Sequence, residues 1–470
     1  MRFKKRGMRW YKSGEEPLLR LRLLKLNGEW NTYWQAWPNG FIYHREKDAY
    51  KCKNLVVFLQ NLLYFLKNTS KKGVAMPLFL TPDEIAFQED IRDFAKKVVQ
   101  PRAKEIDIKG EFPHDILEEF KKKGIFKINV PKAYGGLELG YVYLCIVMEE
   151  ISKFCASSSL ILQVQETASQ VIKIAGTEEQ KKKFLPAIAT GDNMLAFALT
   201  EPKSGSDAQS IRTTATKTDG GYILNGTKCF VSNGNVADYF VTFAKIKEKD
   251  ITDKIACFLV SKHSKGLKMG IARDKMGLRG SITTEFFMKD VFVEQELLIG
   301  KEGLGFLIAL ATLDRTRPMI GAQGVGIAGG AFDYALRYAQ RRVQFDKPIL
   351  YHEGVGFMLA DMITKIEAAR LLVFKAARLI DKETKEGKLR LSKKATLYSA
   401  MSKMFASETA NDVTNNAVQI LGGYGYMKDF ILERYMRDAK VTQIYEGTNQ
   451  IQRYVIMNIM KDLKNHLLEE

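Results

Sequence analysis

The sequence predicts an α+β multidomain protein: a helical unit, then a β unit, then a helical bundle. Three observations carry this. Apolar residues at helical spacing dominate 81–190. Strand-like runs rich in Phe, Val, Ile and Thr dominate 195–298. Helical spacing returns after Gly305. The chain has 470 residues, 46% hydrophobic and 27% charged, which suits two or three packed units. The predicted boundaries are 1–75 for a basic extension, 76–194 for a helical domain, 195–304 for a β domain and 305–470 for a C-terminal helical bundle.

The extension stands apart by composition. Residues 1–75 hold 16 Lys/Arg against 5 Asp/Glu and so carry +11 of the net +18. All four tryptophans, Trp10, Trp30, Trp34 and Trp37, lie there. No sustained helical or alternating periodicity runs through it. It lacks the apolar core and cleavage site of a signal peptide, and its acids suit a transit peptide poorly. Three readings stay open: a disordered basic tail, a stretch upstream of a start at Met76, and an arm for nucleic acid or membrane. The longest apolar stretch, Asn54–Leu66, is too short to span a bilayer. Cysteines at 52, 145, 155, 229 and 257 form no CxxC pair, so reduced thiols are expected. Five scattered histidines give no metal-ligand cluster.

The helical unit opens at Thr81-Pro82-Asp83-Glu84, a cap followed by proline and acids in the first turn. Ile85, Phe87, Ile91, Phe94, Ala95 and Val98 follow at helical spacing, with breaks at Pro131, Gly135-Gly136 and Gly176. In the β unit, Asn225-Gly226 between Tyr222–Leu224 and Cys229–Val231 predicts a hairpin turn. Tyr239–Ala244, Ile255–Val260 and Thr284–Val293 read as further strands of a barrel or sandwich. In the last unit, Leu359, Met362, Ile363, Ile366, Ala369, Val373 and Ala376 step by three and four; 396–421 and the last 25 residues look alike.

Several motifs have both a plain and a chemical reading. Gly324-Val-Gly326-Ile-Ala-Gly329 matches GxGxxG, but it lies inside a helical pattern, so close helix packing is preferred to a dinucleotide fingerprint. The polar loop Ala198–Asp207 (ALTEPKSGSD) is either a solvated turn or a cradle of N–H groups for phosphate or flavin. Phe230–Gly234 (FVSNG) reads as a strand ending in a turn, and Asp274–Ser281 as a second glycine loop. The glycines of Gln419–Gly425 (QILGGYG) suit a helix C-terminus or close approach of a ligand. In QIYEGTNQIQR (443–453), Glu446 taken alone reads as a surface carboxylate.

In their order and spacing these motifs resemble the acyl-CoA dehydrogenase family, from about Leu78 to Met460. VPKAYGGLELG (130–140), AFALTEPKSGSD (196–207), NGTKCFVSNGNVAD (225–238), RDKMGLRGS (273–281), RRVQF (341–345), AVQILGGYGY (417–426) and RDAKVTQIYEGTNQIQR (437–453) carry the resemblance. It implies an N-terminal helical domain, a central β-barrel and a C-terminal four-helix bundle. It implies FAD as cofactor, an acyl-CoA substrate in fatty-acid breakdown (β-oxidation), and an electron-transferring flavoprotein as acceptor. It also implies a homo-oligomer, usually a tetramer. No nucleic-acid partner and no stable membrane insertion are expected, and the location is cytoplasmic, or the mitochondrial matrix in a eukaryote.

By the same resemblance Glu446 is the α-proton base, with its own backbone N–H among the donors to the thioester oxygen. The chemistry needs a carboxylate whose pKa is raised by a dry site. Some relatives carry the base on the helix that here holds Thr316, which cannot serve. Leu199, Thr200, Gly205, Ser206, Phe230 and Ser232 match FAD contacts, as do Thr448 and Gln450. Arg342, Phe345, Gln419, Gly422 and Gly423 match contacts to the FAD of a neighbouring subunit. Ser206, Arg317, Tyr445 and Gly447 match substrate contacts, Arg317 near the CoA phosphates. Asp346 stands where the family usually has glycine, Glu353 where it has glutamine and Gly354 where it has a small neighbour, which puts those FAD contacts in question. The polar stretch Gln163, Gln165 and Glu166 at the expected pocket floor favours a short, branched or cyclic acyl group. Alternatives are an acyl-CoA oxidase or a cyclic acyl-CoA dehydrogenase, and, from another class, a nucleic-acid-binding flavoprotein of the same fold.

Overall fold

The computed structural model describes three strands within 22–42, residues 80–247 and residues 254–461. The chain divides into two compact units, Met1–Leu78 and Phe79–Glu470.

In the first unit, β1 (Arg22–Leu26), β2 (Glu29–Ala36) and β3 (Gly40–Ile42) form an antiparallel meander. The sequence shows no sustained periodicity in 1–75, yet these residues pair as strands. The missed signals were short: β-formers in EWNTYWQA, and Asn27-Gly28 between paired Leu26 and Glu29. The other readings of this segment, Cys52 included, lie outside the described residues.

The second unit begins with the predicted cap. Thr81 and Glu84 form a reciprocal capping box at α1 (Pro82–Phe94). A π turn (Ala95–Val99) leads to α2 (Ala103–Lys109) and α3 (His114–Lys123). Then come α4 (Tyr141–Ser152), α5 (Ala156–Ala175) and α6 (Glu178–Thr190). Helix α5 is buried on every side from Ala156 to Ile172, so its polar residues must find partners. Gln165 does so structurally: it donates to Asn193 O (2.8 Å) and accepts from Leu195 N (2.7 Å).

The central domain is an eight-stranded sheet of β4 (Leu195–Ala198), β5 (Thr214–Thr218), β6 (Gly221–Ser232), β7 (Tyr239–Ile246), β8 (Ile255–Ser261), β9 (Leu267–Met269), β10 (Thr283–Glu294) and β11 (Leu298–Ile299). The order is β11-β8-β7-β5-β6-β10-β9, with β4 parallel to β7. Among the described residues the expected barrel is not closed. Its edges are the short strands β9 and β11, which do not pair with each other. The expected hairpin at Asn225-Gly226 is absent too: β6 runs straight through it. The pair sits at an irregularity opposite Met288–Val291. There Asn225 exchanges bonds with Asp290, through Nδ2 to Oδ1 (3.1 Å) and from the Asp290 N–H to its own Oδ1 (2.9 Å). A Cβ on Gly226 would lie 2.4 Å from Thr213 Oγ1, so close approach of a neighbouring strand, not a turn, requires the glycine.

The C-terminal domain has three long helices, α7 (Gly305–Arg341), α8 (Glu353–Lys385) and α9 (Lys393–Leu421), and two shorter ones, α10 (Leu432–Lys440) and α11 (Asn449–Lys461). The C-terminal part is thus helical, as expected. GxGxxG lies within α7, as its helical pattern predicted. A Cβ at Gly326 would meet Glu149 O at 2.3 Å and one at Gly324 would meet Ala406 O at 2.9 Å, so small residues let α4 and α9 approach. Between α7 and α8, β12 (Val343–Gln344) and β13 (Lys347–Pro348) form a hairpin. Its two turn residues, Phe345 and Asp346, have φ of +51° and +61°.

Candidate active site and flavin surfaces

Glu446 lies in the turn between α10 and α11. Its φ is +54° and that of Gly447 is +87°, two successive left-handed residues. A Cβ on Gly447 would stand 2.7 Å from Gln452 Nε2, so glycine is required there. The turn is held from behind. Gln452 Nε2 donates to the Glu446 carbonyl (3.2 Å) and the Gly447 carbonyl (2.9 Å). Lys403 Nζ also reaches the Gly447 carbonyl, at 2.8 Å.

Three donors converge on the carboxylate from remote helices. Thr316 Oγ1 of α7 is 2.9 Å from Oε2. Thr167 Oγ1 and Gln163 Nε2 of α5 are 2.9 Å and 3.1 Å from Oε1. Burial pushes the pKa of Glu446 up. Thr316, Thr167, Gln163 and the Arg317 charge pull it back, and the balance stays above the ordinary carboxylate value. Such a group is a better proton acceptor than a solvated glutamate. The Gln163 Oε1 is buried without a protein partner.

The other predicted residues separate into groups. Tyr445 gives its hydroxyl to Gln323 of α7, which anchors the turn. Thr448 Oγ1 accepts the Ile451 N–H at 3.2 Å and caps α11, while Gln450 is exposed. Arg317 is 2% exposed and paired with Asp314; its charge bears on Glu446 and Lys403. Glu166 does not face solvent: it accepts from Lys173 Nζ (2.6 Å) and Asn129 Nδ2 (2.7 Å).

The loop after β4 is built around Glu201, which sequence reasoning passed over. Its carboxylate accepts from Lys228 Nζ (2.7 Å), Arg212 N (2.5 Å) and Thr213 N (3.0 Å). Burial pushes Lys228 down to about 8 despite this partner. Glu201 and Ser204 exchange backbone bonds of 3.0 Å, leaving Gly205 and Ser206 exposed at the tip. Leu199 is buried below, and Thr200 O accepts Cys229 N at 2.9 Å. That bond sets the loop beside Phe230 and the strand carrying Ser232. Phe230 is 71% exposed at φ +55°. A large apolar ring held outward in a left-handed backbone is strain that an apolar ligand face would reward.

Arg342, Phe345, Gln419, Gly422 and Gly423 come together around a pocket of about 690 Å³. Phe345 is 90% exposed, and added Cβ atoms at Gly422 and Gly423 would point into open space. Neither Asp346 nor Glu353 lines it. Asp346 instead fills a left-handed turn position, which aspartate tolerates nearly as glycine does. A guanidinium, an amide, exposed rings and open glycine backbone fit a dinucleotide's phosphates and bases, so the residues present suit FAD. A larger crevice of about 1270 Å³, with Arg92, Lys104, Arg337 and Lys428 in its wall, holds none of the predicted site residues.

Comparisons with known proteins bear on the family. The chain matches the acyl-CoA dehydrogenase N-terminal domain at residues 81–192, the middle domain at 196–291 and the C-terminal domain at 303–461. It is 44% identical over 380 residues to an acyl-CoA dehydrogenase of Bacillus subtilis, covering 81% of this chain and 98% of that one. It is 44% identical over 377 residues to the cyclohex-1-ene-1-carbonyl-CoA dehydrogenase of Geobacter metallireducens, covering 80% and 97%. The structure of butyryl-CoA dehydrogenase from Megasphaera elsdenii superposes with a TM-score of 0.77 and 38% identity, covering 82% of this chain and 99% of that one. The chain therefore belongs to the acyl-CoA dehydrogenase family, FAD-binding oxidoreductases that act on the CH–CH bond of acyl-CoA thioesters.

Proposed function

We propose that this protein catalyses α,β-dehydrogenation of an acyl-CoA to the 2-enoyl-CoA, with Glu446 as the base that takes the α-proton. The observation that carries the reading is the half-buried carboxylate of Glu446, raised in pKa and held by three donors. An α-proton beside a thioester is weakly acidic, so the base must be placed and partly desolvated. As the proton leaves, charge builds on the thioester oxygen, which needs donors. Among the described residues no protein group accepts the Glu446 N–H, so that N–H is free for this task. FAD, when bound, supplies the hydride acceptor for the β-carbon. Phe230 and the Thr200–Ser206 loop are the residues that would seat its ring system, and Arg342 with Gly422 and Gly423 would serve the cofactor of a neighbouring subunit.

The acyl group we favour is short, branched or cyclic. The carboxylate is surrounded by two hydroxyls and an amide from α5 and α7, and a long aliphatic chain gains little beside polar groups. In this reading the protein is a homo-oligomer, with Arg342, Gly422 and Gly423 serving a neighbour's cofactor, and an electron-transferring flavoprotein is the acceptor. The nucleic-acid alternative rests on the net charge of +18, most of which lies in residues 1–75. Among the described residues no helix is long and apolar enough to cross a membrane.

The deciding experiment mixes the FAD-loaded protein anaerobically with a panel of acyl-CoAs and follows flavin bleaching. Bleaching by short, branched or cyclic thioesters, lost in Glu446→Gln, is expected. Undiminished bleaching in that variant would remove Glu446 from the role. Oxygen uptake without an added acceptor would select the oxidase.

A further inference from the structure

A lysine is rarely buried without a carboxylate beside it. Lys403 of α9 is 0% exposed, and its two hydrogen-bond acceptors are neutral. They are the Gly447 carbonyl at 2.8 Å and Asn449 Oδ1 at 2.9 Å. Asn449 is itself fixed: Ser407 Oγ bonds both ends of its amide (3.1 Å and 2.9 Å), and its Nδ2 also reaches Met404 O at 3.3 Å. One ammonium thus ties α9 to the first residue of α11 and to the glycine after the base.

We propose that Lys403 is a positioning residue for Glu446: its ammonium fixes the left-handed Glu446–Gly447 turn and sets a cation behind the carboxylate. This rests on the reading of Glu446 as the base. The turn needs such a fixture because a non-glycine residue at φ +54° is held there only by its surroundings. Gln452 supplies neutral bonds to the same carbonyls; Lys403 adds charge. The charged groups around it are known from each side. Arg317 of α7, paired with Asp314, opposes its protonation. Glu446, and Glu408 on its own helix, favour it; Glu408 is bonded to Arg453 of α11 at 2.5 Å. Burial and Arg317 push Lys403 down to about 7. The coupling is reciprocal: a cation favoured by the carboxylate favours the carboxylate. Removing it raises the pKa of Glu446.

The test uses FAD-loaded full-length protein and the acyl-CoA that bleaches the wild-type flavin fastest. Lys403→Met should slow bleaching about tenfold or more and move the acid limb of its pH profile up by about one unit. Acyl-CoA affinity should stay within about threefold. Lys403→Arg, which keeps charge and donors, should leave that limb at its wild-type pH even if the rate is lower. A residue that only fills space would slow both variants without moving either limb, and that result overturns the proposal, as does a Met variant of wild-type rate and profile. If Lys403→Met loses flavin, Lys403→Gln is read by the same criteria against Lys403→Arg. Glu446→Gln runs alongside: if it still bleaches, the base assignment falls; if it does not and the Lys403 variants behave as wild type, only this inference falls.

Discussion

Thr316 Oγ1 donates to Glu446 Oε2 across 2.9 Å. In this structure the α7 helix thus contributes a hydroxyl bonded to the carboxylate proposed as the base. Thr316 is the foremost of the donors that lower the Glu446 pKa against the effect of burial. Thr316→Val removes that donor at similar volume. The acid limb of flavin bleaching should move to higher pH by about half a unit to one unit, and Thr316→Ser should restore it. Stopped-flow bleaching between pH 5 and 9, with about half-unit steps, checks this.

Two aspartates, Asp381 half-buried and Asp438 buried, make a pH prediction about stability. Asp381 receives the N–H groups of Tyr141 (2.5 Å) and Val142 (3.1 Å) at the start of α4. Asp438 receives Leu278 N at 2.6 Å. Burial raises each to about 6, above the unfolded value of about 3.9. Between these values the folded state binds more protons than the unfolded state. The contribution of each group to stability therefore falls as pH rises from about 4 to 6. Asp381→Asn and Asp438→Asn should each flatten that part of the curve of urea midpoint against pH.

Arg342 lies in the wall of the 690 Å³ pocket, its guanidinium 5.9 Å from the Tyr424 ring. It has no ion pair among the described residues. Arg342→Ala should weaken FAD retention about tenfold or more, the worth of a charge-assisted bond to phosphate. The melting temperature of the flavin-free protein should not move. Equilibrium dialysis against FAD and a thermal scan of the stripped protein separate the two effects.

Two glycines of α7, three residues apart, predict opposite outcomes. Gly326→Ala would force a Cβ to 2.3 Å from the Glu149 carbonyl and should cost about 1–3 kcal/mol. Gly329→Ala meets nothing within 4 Å and should add about 0.5–1 kcal/mol through helix propensity. Denaturant midpoints of the two variants decide it.

The three-part layout was legible because helix and strand periods are local properties of a chain. So was the helix cap at Thr81, and so was the packing role of Gly324 and Gly326. The Asn225-Gly226 turn failed for the opposite reason: the dipeptide suits a hairpin locally, but Thr213 and Asp290, brought by other strands, make it part of a continuous one. The barrel failed because closure depends on whether two edge strands meet, which no single strand records. The Glu201–Lys228 pair was invisible because a charged residue in a loop reads as solvated until its burial is known.

The sequence by itself determined the order of domains and, through seven motifs in register, the family and the identity of Glu446 as its candidate base. The tertiary structure decided what that glutamate is. Thr316, Thr167 and Gln163 stand 130, 279 and 283 residues away along the chain, and Lys403 reaches Gly447 from 44 residues away. Side-chain periodicity encodes which face of a helix is buried, not which remote helix will lie against it. Only packing removes water from Glu446, and the loss of water is what lifts its pKa and suits it to the proposed role of base.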